Sequence, residues 1–235
     1  MNTNLDRFHE LGYVVITDFI SPEELDRLIL EVDKYTEIGL SRVDDGENWT
    51  MNEPHNPCKL EGAMAVSEVF RELGRNETLV GVARKLLGMQ NLDTYISKFF
   101  PMTPKHGFSV DFHQDNHYIQ ANPDKLISCD VFVKGATKER GCLRVMPMSH
   151  HGTNDALHAK PSKGPFNWMW ITRHDLLVDI ESDDIFAIFF HPNLVHGCYK
   201  NKSDEFRPSV AWEYIETDYV PKTHTGHQSQ DRHKV

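Results

Sequence analysis

The C-terminal half of the chain contains a run of short segments typical of β-strands, and this run limits the fold more than any other feature. Each segment mixes β-branched or aromatic residues, and turn residues separate it from the next. The segments are TYISKFF, FSVDFH, LISCDVFVKG, GCLRVMP, IFAIFF, LVHGCYK and RPSVAWEYI. Closely spaced short strands predict a sandwich or barrel, and a jelly roll of two sheets fits them best.

The first third of the chain predicts helices. In SPEELDRLILEVDKY, Ser21 suits the N-cap, Pro22 suits the first helical position, and Glu24 completes a capping box. Asn76 caps a further helix, ETLVGVARKLL, and Gly88 ends it. We therefore expect an α+β protein, mainly β, whose N-terminal helices pack on one sheet of the jelly roll.

The chain shows no repeat and no break in composition, which predicts one domain over residues 1–220. Residues 41–62 are polar and predict an irregular segment. Residues 149–182 form an insertion between predicted strands. The histidine-rich stretch near the end predicts a polar, poorly ordered tail over residues 221–235.

Composition narrows the class of function. A formal net charge of -10 argues against a nucleic-acid partner, since such proteins normally carry a basic face. The four cysteines form no CxxC pair, which favours free thiols in a reducing compartment. No apolar run approaches the roughly 20 residues of a membrane span. The N-terminus is too charged for a signal peptide, and DRHKV is no peroxisomal signal. These features predict a cytoplasmic enzyme without a membrane partner. We also expect a small-molecule substrate and a monomer or homodimer, although composition does not bear on either.

The segment FHQDNHY, residues 112–118, carries the first chemical signal. Alternation along a strand would direct the side chains of His113 and Asp115 to the same face. Such a pair is either a polar contact on a sheet or two thirds of a metal site. The third ligand would be His191 or His196. Two histidines and one carboxylate leave three positions open on a metal, as in non-haem Fe(II) oxygenases, whereas zinc more often has a closed tetrahedral set or three ligands and water.

An iron oxygenase needs an electron donor, and a 2-oxo acid would require a cation for its distal carboxylate. Arg207 lies near the start of the last predicted strand, and its guanidinium can bind a carboxylate through two hydrogen bonds. Ser209 is two residues further on, so its hydroxyl would lie on the same strand face. A buried arginine needs such a partner.

Several stretches together resemble one known family. FHQDNHYI, GCLRVMPMSHHGT and DDIFAIFFHPNLVHGCYKNKSDEFR occur in that order, after LGYVVITDFISPEELDRL. They resemble the phytanoyl-CoA dioxygenase (PhyH) family of Fe(II)- and 2-oxoglutarate-dependent oxygenases, and the resemblance extends to about residue 216. It implies a double-stranded β-helix, a cupin-like jelly roll, that uses Fe(II), 2-oxoglutarate and O2.

The resemblance also assigns roles to residues. It implies iron ligands at His113, Asp115 and His196, and contacts of Arg207 and Lys59 with 2-oxoglutarate. Family members often have a serine directly after the H-G of the distal ligand, where this chain has Cys198. The histidine at 191 is then structural or supports the iron ligands from behind.

Other residues have two open interpretations. Tyr95 and Lys98 could border the oxoglutarate slot. Alternatively, Tyr95 could pack in the core and Lys98 could be a surface charge. His117 and Tyr118 could line the substrate pocket, or lie at a strand edge. The aromatic residues of the insertion could face the substrate as a lid or form a small core beneath a loop; they include Phe166, Trp168 and Trp170.

The reaction implied is oxidation of a small molecule, most simply hydroxylation, with release of succinate and CO2. We expect a role in specialised metabolism. Desaturation or cyclisation would use the same iron chemistry. Two alternatives belong to other classes: a non-catalytic metal-binding jelly-roll sensor and a zinc hydrolase.

Overall fold

The structure is a computed structural model that describes residues 3–152, 158–159, 168–169, 173–223 and 231–235. Its strands are β1 Tyr13–Ile16, β2 Trp49–Glu53, β3 Asn56–Glu61, β4 Leu92–Phe100, β5 Val110–His113, β6 Leu126–Phe132, β7 Leu143–Val145, β8 His158–Ala159, β9 Trp168–Met169, β10 Val178–Ile180, β11 Phe186–Phe190, β12 His196–Cys198, β13 Ser209–Glu216 and β14 His233–Lys234. Its helices are α1 Thr3–Leu11, α2 Pro22–Leu40, α3 Ala63–Val66, α4 Glu68–Gly74, α5 Glu77–Leu87 and α6 Asp115–Ile119.

Two antiparallel sheets form the body of the protein. The larger sheet has the strand order β1-β11-β6-β13-β4-β3-β2, and β14 also pairs with β4. The smaller sheet has the order β10-β7-β12-β5. Strands distant in sequence are neighbours in both sheets, which is the connectivity of a jelly roll. The predicted fold class is confirmed.

Helices cover the outer face of the larger sheet. The side chain of Ser21 accepts a hydrogen bond from the backbone of Glu24 in the predicted capping box of α2, and Asn76 caps α5. The apolar faces of these helices and of the sheet share one buried core, which includes Leu28, Val32, Leu79, Phe99 and Trp212. Each such side chain contributes about 1.5–3 kcal/mol through burial, so this shared core holds the helices against the sheet.

The prediction of an irregular segment over residues 41–62 is wrong. β2 and β3 form a hairpin in which Trp49 lies opposite Leu60, and Leu60 also lies opposite Phe99 of β4. The turn contains His55 with a positive φ of 62°. Polar exposed positions and register shifts hide the alternation in the sequence, although Trp49 and Leu60 are buried. This hairpin carries Lys59 to the edge of the candidate site.

The last described residues belong to the larger sheet. The backbone N–H of Val235 donates to Leu92, and the Ser97 hydroxyl donates to the buried Asp231 carboxylate at 2.8 Å. The division into a domain over 1–220 and a tail over 221–235 stays a prediction, but residues 231–235 are ordered against β4. None of the described helices is both long and apolar enough to cross a membrane.

Candidate metal centre

Three side chains meet between the two sheets, and we call His113, Asp115 and His196 the ligand triad. His113 ends β5 and His196 begins β12, and the two residues are directly paired across the antiparallel ladder. Their Nε2 atoms lie 3.5 and 3.6 Å from Asp115 Oδ1. The potential ligand atoms of all three residues lie within 4.8 Å of one another.

The expectation of alternation along one strand is corrected by the structure. β5 ends at His113, and Asp115 is the first residue of α6. A strand-to-helix turn therefore brings the carboxylate towards the imidazole. The H-x-D spacing therefore identified the right pair of residues, although a turn between β5 and α6, and not alternation along a strand, brings them together.

Backbone carbonyls orient both histidine rings. His113 Nδ1 lies 2.9 Å from the carbonyl oxygen of Asp111, and His196 Nδ1 lies 2.9 Å from that of Leu194. A carbonyl oxygen only accepts, so each Nδ1 carries the proton and each Nε2 presents a lone pair. This is the usual support for a metal-binding imidazole.

The carboxylate of the triad is held in its ionised form. Asp115 Oδ2 accepts a hydrogen bond from the Ser128 hydroxyl at 2.8 Å. Burial raises the pKa of Asp115, but the positive charge of Lys98 and the Ser128 hydrogen bond favour the carboxylate. Burial lowers the pKa of His196 to about 4, which keeps its ring neutral. Two neutral nitrogens and one carboxylate oxygen fit Fe(II) with open positions.

An inner cavity of about 90 Å³ lies between the sheets and contains the triad in its wall. Arg207 and Ser209 also line it. Arg207 is buried, and its Nη1 donates to the Ser209 hydroxyl at 3.0 Å. Its Nε has no hydrogen-bond partner among the described residues, and the guanidinium lies 5.0 Å from the centre of the Phe132 ring. In the part of the chain that the structure describes, no carboxylate forms an ion pair with Arg207, so the cavity presents a free cation to an anionic ligand.

Two further carboxyl groups line the inner cavity, and the sequence analysis missed them. Asp130 of β6 and Glu213 of β13 face inwards, where Asp130 lies opposite Ala211 and Glu213 lies opposite Ser128. Burial raises the pKa of Asp130 to about 7, with a further contribution from Asp115. Burial also raises the pKa of Glu213 well above its ordinary value. Single acidic residues within the apolar runs LISCDVF and SVAWEYI were the available signal.

A larger outer cavity of about 340 Å³ shares part of its wall with the inner cavity. Residues that line both include His113, Asp115 and Lys98, so the triad lies at the junction. Tyr118 lines only the outer cavity and is 37% exposed. Lys59 also lines only the outer cavity and forms an ion pair with Glu61. Its predicted contact with 2-oxoglutarate would require a ligand that extends past the triad.

The expectation that Tyr95 borders the oxoglutarate slot is corrected. Tyr95 is fully buried and lines neither cavity, because Ile119 and Leu126 pack against it in a separate apolar cluster. His117 lies in α6 beside Tyr118, with 5.1 Å between the ring centres, and is not part of either cavity wall.

The remaining predicted residues are Cys198 and three aromatic residues of the insertion. Cys198 lines the inner cavity, and its Sγ accepts the Val110 backbone N–H at 3.3 Å. Phe166 and Trp170 lie outside the described residues. Trp168 belongs to β9, which pairs with β8, but only its backbone is described.

Three comparisons show which known proteins the chain is similar to. The family model for phytanoyl-CoA dioxygenase (PhyH) matches residues 8–209. A probable phytanoyl-CoA dioxygenase from Caenorhabditis elegans is 26% identical over 237 residues, covering 90% of this chain and 74% of the relative.

Two solved structures share the fold. The non-heme alpha ketoglutarate dependent carbocyclase SnoK from nogalamycin biosynthesis superposes with a TM-score of 0.74 at 20% identity, covering 100% of this chain and 96% of that one. EctD from S. alaskensis with 2-oxoglutarate and 5-hydroxyectoine superposes with a TM-score of 0.72 at 18% identity, covering 92% and 76%.

Proposed function

The chain belongs to the phytanoyl-CoA dioxygenase (PhyH) family of iron- and 2-oxoglutarate-dependent oxygenases, and from this premise we propose that it hydroxylates a small molecule. The reaction consumes O2 and 2-oxoglutarate and yields hydroxylated product, succinate and CO2. The setting we propose is specialised metabolism, and cytoplasmic location and a monomeric or homodimeric state stay predictions.

One observation carries this proposal: the ligand triad lies at the junction of a small inner cavity, which contains the buried Arg207, and a larger outer cavity. Such an arrangement separates a co-substrate site from a substrate site on either side of one metal position. A sensor without turnover would have no use for the arginine. A zinc hydrolase, which activates a water on its metal, would likewise leave the buried arginine without a task.

Each group of the chain then has a definite task. His113, Asp115 and His196 would hold Fe(II), which when bound supplies the activation of O2. Arg207 and Ser209 would bind the distal carboxylate of 2-oxoglutarate through charge-assisted hydrogen bonds. The small inner cavity would hold the co-substrate, and the outer cavity would orient a substrate C–H bond towards the metal position.

The test is an anaerobic titration of metal-free protein with Fe(II) and then 2-oxoglutarate. We expect the weak visible charge-transfer band of the chelate, saturating at one equivalent of each. Folded protein that shows no band would contradict the proposal and favour a zinc or sensor function. Metal analysis of protein purified without added metal distinguishes these two. Desaturation or cyclisation would leave the band unchanged and would be recognised by the mass of the product.

A further inference from the structure

Strand β4 contains a bulge beside the candidate site. The register between β4 and β13 shifts by one residue, so that Ile96 and Ser97 of β4 lie opposite the single residue Trp212 of β13. Ile96 has a φ of 49°, in the left-handed region that a β-branched residue rarely adopts. In bulges of this kind the position is usually glycine. Such strain persists only where the surrounding structure holds it, and it is most frequent at functional sites.

The bulge determines which side chains of β4 face the interior. Ala211 and Glu213 are two residues apart on β13, and both line the inner cavity. Their partners on β4 are Lys98 and Tyr95, which are three residues apart. Directly opposite residues share one face of a sheet, so the extra residue allows both Tyr95 and Lys98 to face inwards. Strict alternation would turn one of the two to the other face.

The orientation of Lys98 matters for the charge of the inner cavity. Lys98 and Arg207 are the lysine and arginine side chains among the described residues that line this cavity. 2-Oxoglutarate carries two negative charges, and Arg207 would bind one carboxylate. Lys98 also lines the outer cavity, as His113 and Asp115 do, so it lies at the metal end of the inner cavity. Its positive charge is therefore placed to favour the rest of a bound dianion.

The edge of β4 that faces away from β13 shows what holds the bulge. β3 pairs with this edge at Lys98 and Phe99, and β14 pairs with it at Asp93 and Thr94. Among the described residues, no strand covers positions 95–97 between these two pairings. The backbone of Ser97 is therefore exposed to whatever fills this gap.

Asp231 fills the gap, two residues before β14 begins, and it is 3% exposed. Its carboxylate accepts hydrogen bonds from the backbone N–H of Ser97 and, at 2.8 Å, from the Ser97 hydroxyl. The Gly62 N–H donates to the Ser97 carbonyl oxygen at 2.8 Å. Arg232 ties the same segment to β4, since its Nε donates to the Asp93 carboxylate at 2.6 Å. One buried carboxylate thus takes the place of a strand beside the bulge.

Resting on the proposed function, we propose that Asp231 is a positioning residue for the co-substrate: it holds the bulge of β4, and the bulge keeps Lys98 in the wall of the inner cavity. Asp231 itself lines neither cavity, so it acts through the backbone of Ser97. Residues 231–235 then serve the site, although they are distant in sequence from the ligand triad and from Arg207.

The experiment measures two affinities under anaerobic conditions. Calorimetry gives the dissociation constant for Fe(II) without 2-oxoglutarate, and the chelate band gives that for 2-oxoglutarate at saturating Fe(II). Asp231→Ala removes both acceptors from Ser97. Ile96→Gly is added to it as a rescue, because glycine adopts a positive φ without strain and the bulge can then form unaided.

Two control variants separate positioning from general stability. Lys234→Ala alters an exposed side chain of β14, in the same segment. Asn76→Ala removes the side-chain cap of α5 and lowers stability away from the cavities. Both should bind Fe(II) and 2-oxoglutarate like the unaltered protein.

We expect Asp231→Ala to raise the dissociation constant for 2-oxoglutarate by about tenfold or more, which is the worth of one hydrogen bond to a charged group. Fe(II) affinity should not change, because the triad lies on β5, α6 and β12. The double variant with Ile96→Gly should recover most of the affinity for 2-oxoglutarate.

A double-mutant cycle tests the route through Lys98. Lys98→Met should itself weaken 2-oxoglutarate, and in that background Asp231→Ala should have little further effect, because the two residues act through one contact. Full additivity of the two effects would show that Asp231 does not act through Lys98 and would overturn the proposal.

Three other results would overturn it: an unchanged affinity of Asp231→Ala for 2-oxoglutarate, an equal loss of affinity for Fe(II), or no recovery with Ile96→Gly. If Asp231→Ala does not fold, Asp231→Asn keeps the size of the side chain and one acceptor, and the same comparison with Ile96→Gly decides the question. Absence of the chelate band in the unaltered protein would overturn the proposed function, a result distinct from all of these.

Discussion

Two groups of histidines have opposite arrangements in this protein. In the ligand triad, His113 and His196 direct lone pairs towards one carboxylate. In the second histidine cluster, which we define as His150, His151 and His191, the rings contact one another, with 5.1 Å between the centres of His150 and His191. His191 Nδ1 accepts the Asn193 backbone N–H at 3.1 Å, which uses a lone pair that a metal would need.

The difference lies in what the second nitrogen of each ring does. When one ring nitrogen donates to a backbone carbonyl, the other nitrogen keeps a lone pair that can bind a metal. When a backbone N–H donates to the ring, it occupies that lone pair. His150 Nε2 lies 3.2 Å from the His9 carbonyl oxygen, but its Nδ1 is buried without a partner. Among the described residues, the triad is the group that brings three ligand atoms together. His150 has a free nitrogen as the triad histidines have, so the convergence of three ligand atoms, and not the orientation of one ring, separates the two groups.

The largest expected effect separates the two groups directly. His196→Ala should lower the affinity for Fe(II) by more than about 100-fold, since even contacts behind a metal ligand are worth about 10–100-fold. His191→Asn is the matched variant, because its side-chain oxygen can accept the Asn193 N–H. It should leave the chelate band unchanged. Titration with Fe(II) in the presence of saturating 2-oxoglutarate measures both, and equal loss in the two variants would contradict the distinction.

The next effect concerns Arg207, the buried cation near the ligand triad. Arg207→Ala should raise the dissociation constant for 2-oxoglutarate by about 100-fold, since it removes hydrogen bonds to a charged group of about 1.5–3 kcal/mol each. Arg207→Lys should fall between, because lysine keeps the charge but not the planar pair of donors. Fe(II) affinity in the absence of 2-oxoglutarate serves as the control. An unchanged dissociation constant in a folded Ala variant would assign another anchor to the co-substrate.

The second histidine cluster should be visible in the pH dependence of stability. Burial, then His150 and His151, lower the pKa of His191 to about 4 from its ordinary value of 6.5. The folded state therefore keeps His191 neutral, and stability is full above about pH 6.5 and is lost as the pH falls towards 4. Allowing for partial exposure, this loss should be about 2 kcal/mol.

Urea unfolding of metal-free protein at pH 7.5 and pH 4.5 measures this effect. His196 titrates in the same range, since burial also lowers its pKa to about 4. We therefore compare the loss of stability between the two pH values in the unaltered protein and in His191→Asn. The contribution of His196 is the same in both. A variant that loses as much stability as the unaltered protein would show that His191 does not contribute.

Other parts of the molecule show where sequence reasoning succeeds and where it fails. The fold class followed from the strand-like segments, and the helix boundaries at Ser21 and Gly88 followed from local backbone chemistry. The β2–β3 hairpin did not, because its exposed positions mask the alternation. Asp130 and Glu213 were missed because their environment is created by strands far apart in sequence. Tyr95 was misplaced because Ile119, from another element, covers it.

The smallest expected effect tests the support behind the triad. The Ser128 hydroxyl donates to Asp115 Oδ2, while the other oxygen of this carboxylate faces the two histidines. Ser128→Ala should leave the ligand set complete but release the carboxylate from one orientation. Fe(II) affinity should then fall by about tenfold, at the lower end of such outer contacts. Ser149→Ala, beside the second histidine cluster, is the matched control, since its hydroxyl accepts the Val195 backbone N–H. If both serine variants bind Fe(II) like the unaltered protein, orientation of the rings alone is sufficient, and the carboxylate needs no support to distinguish the two groups.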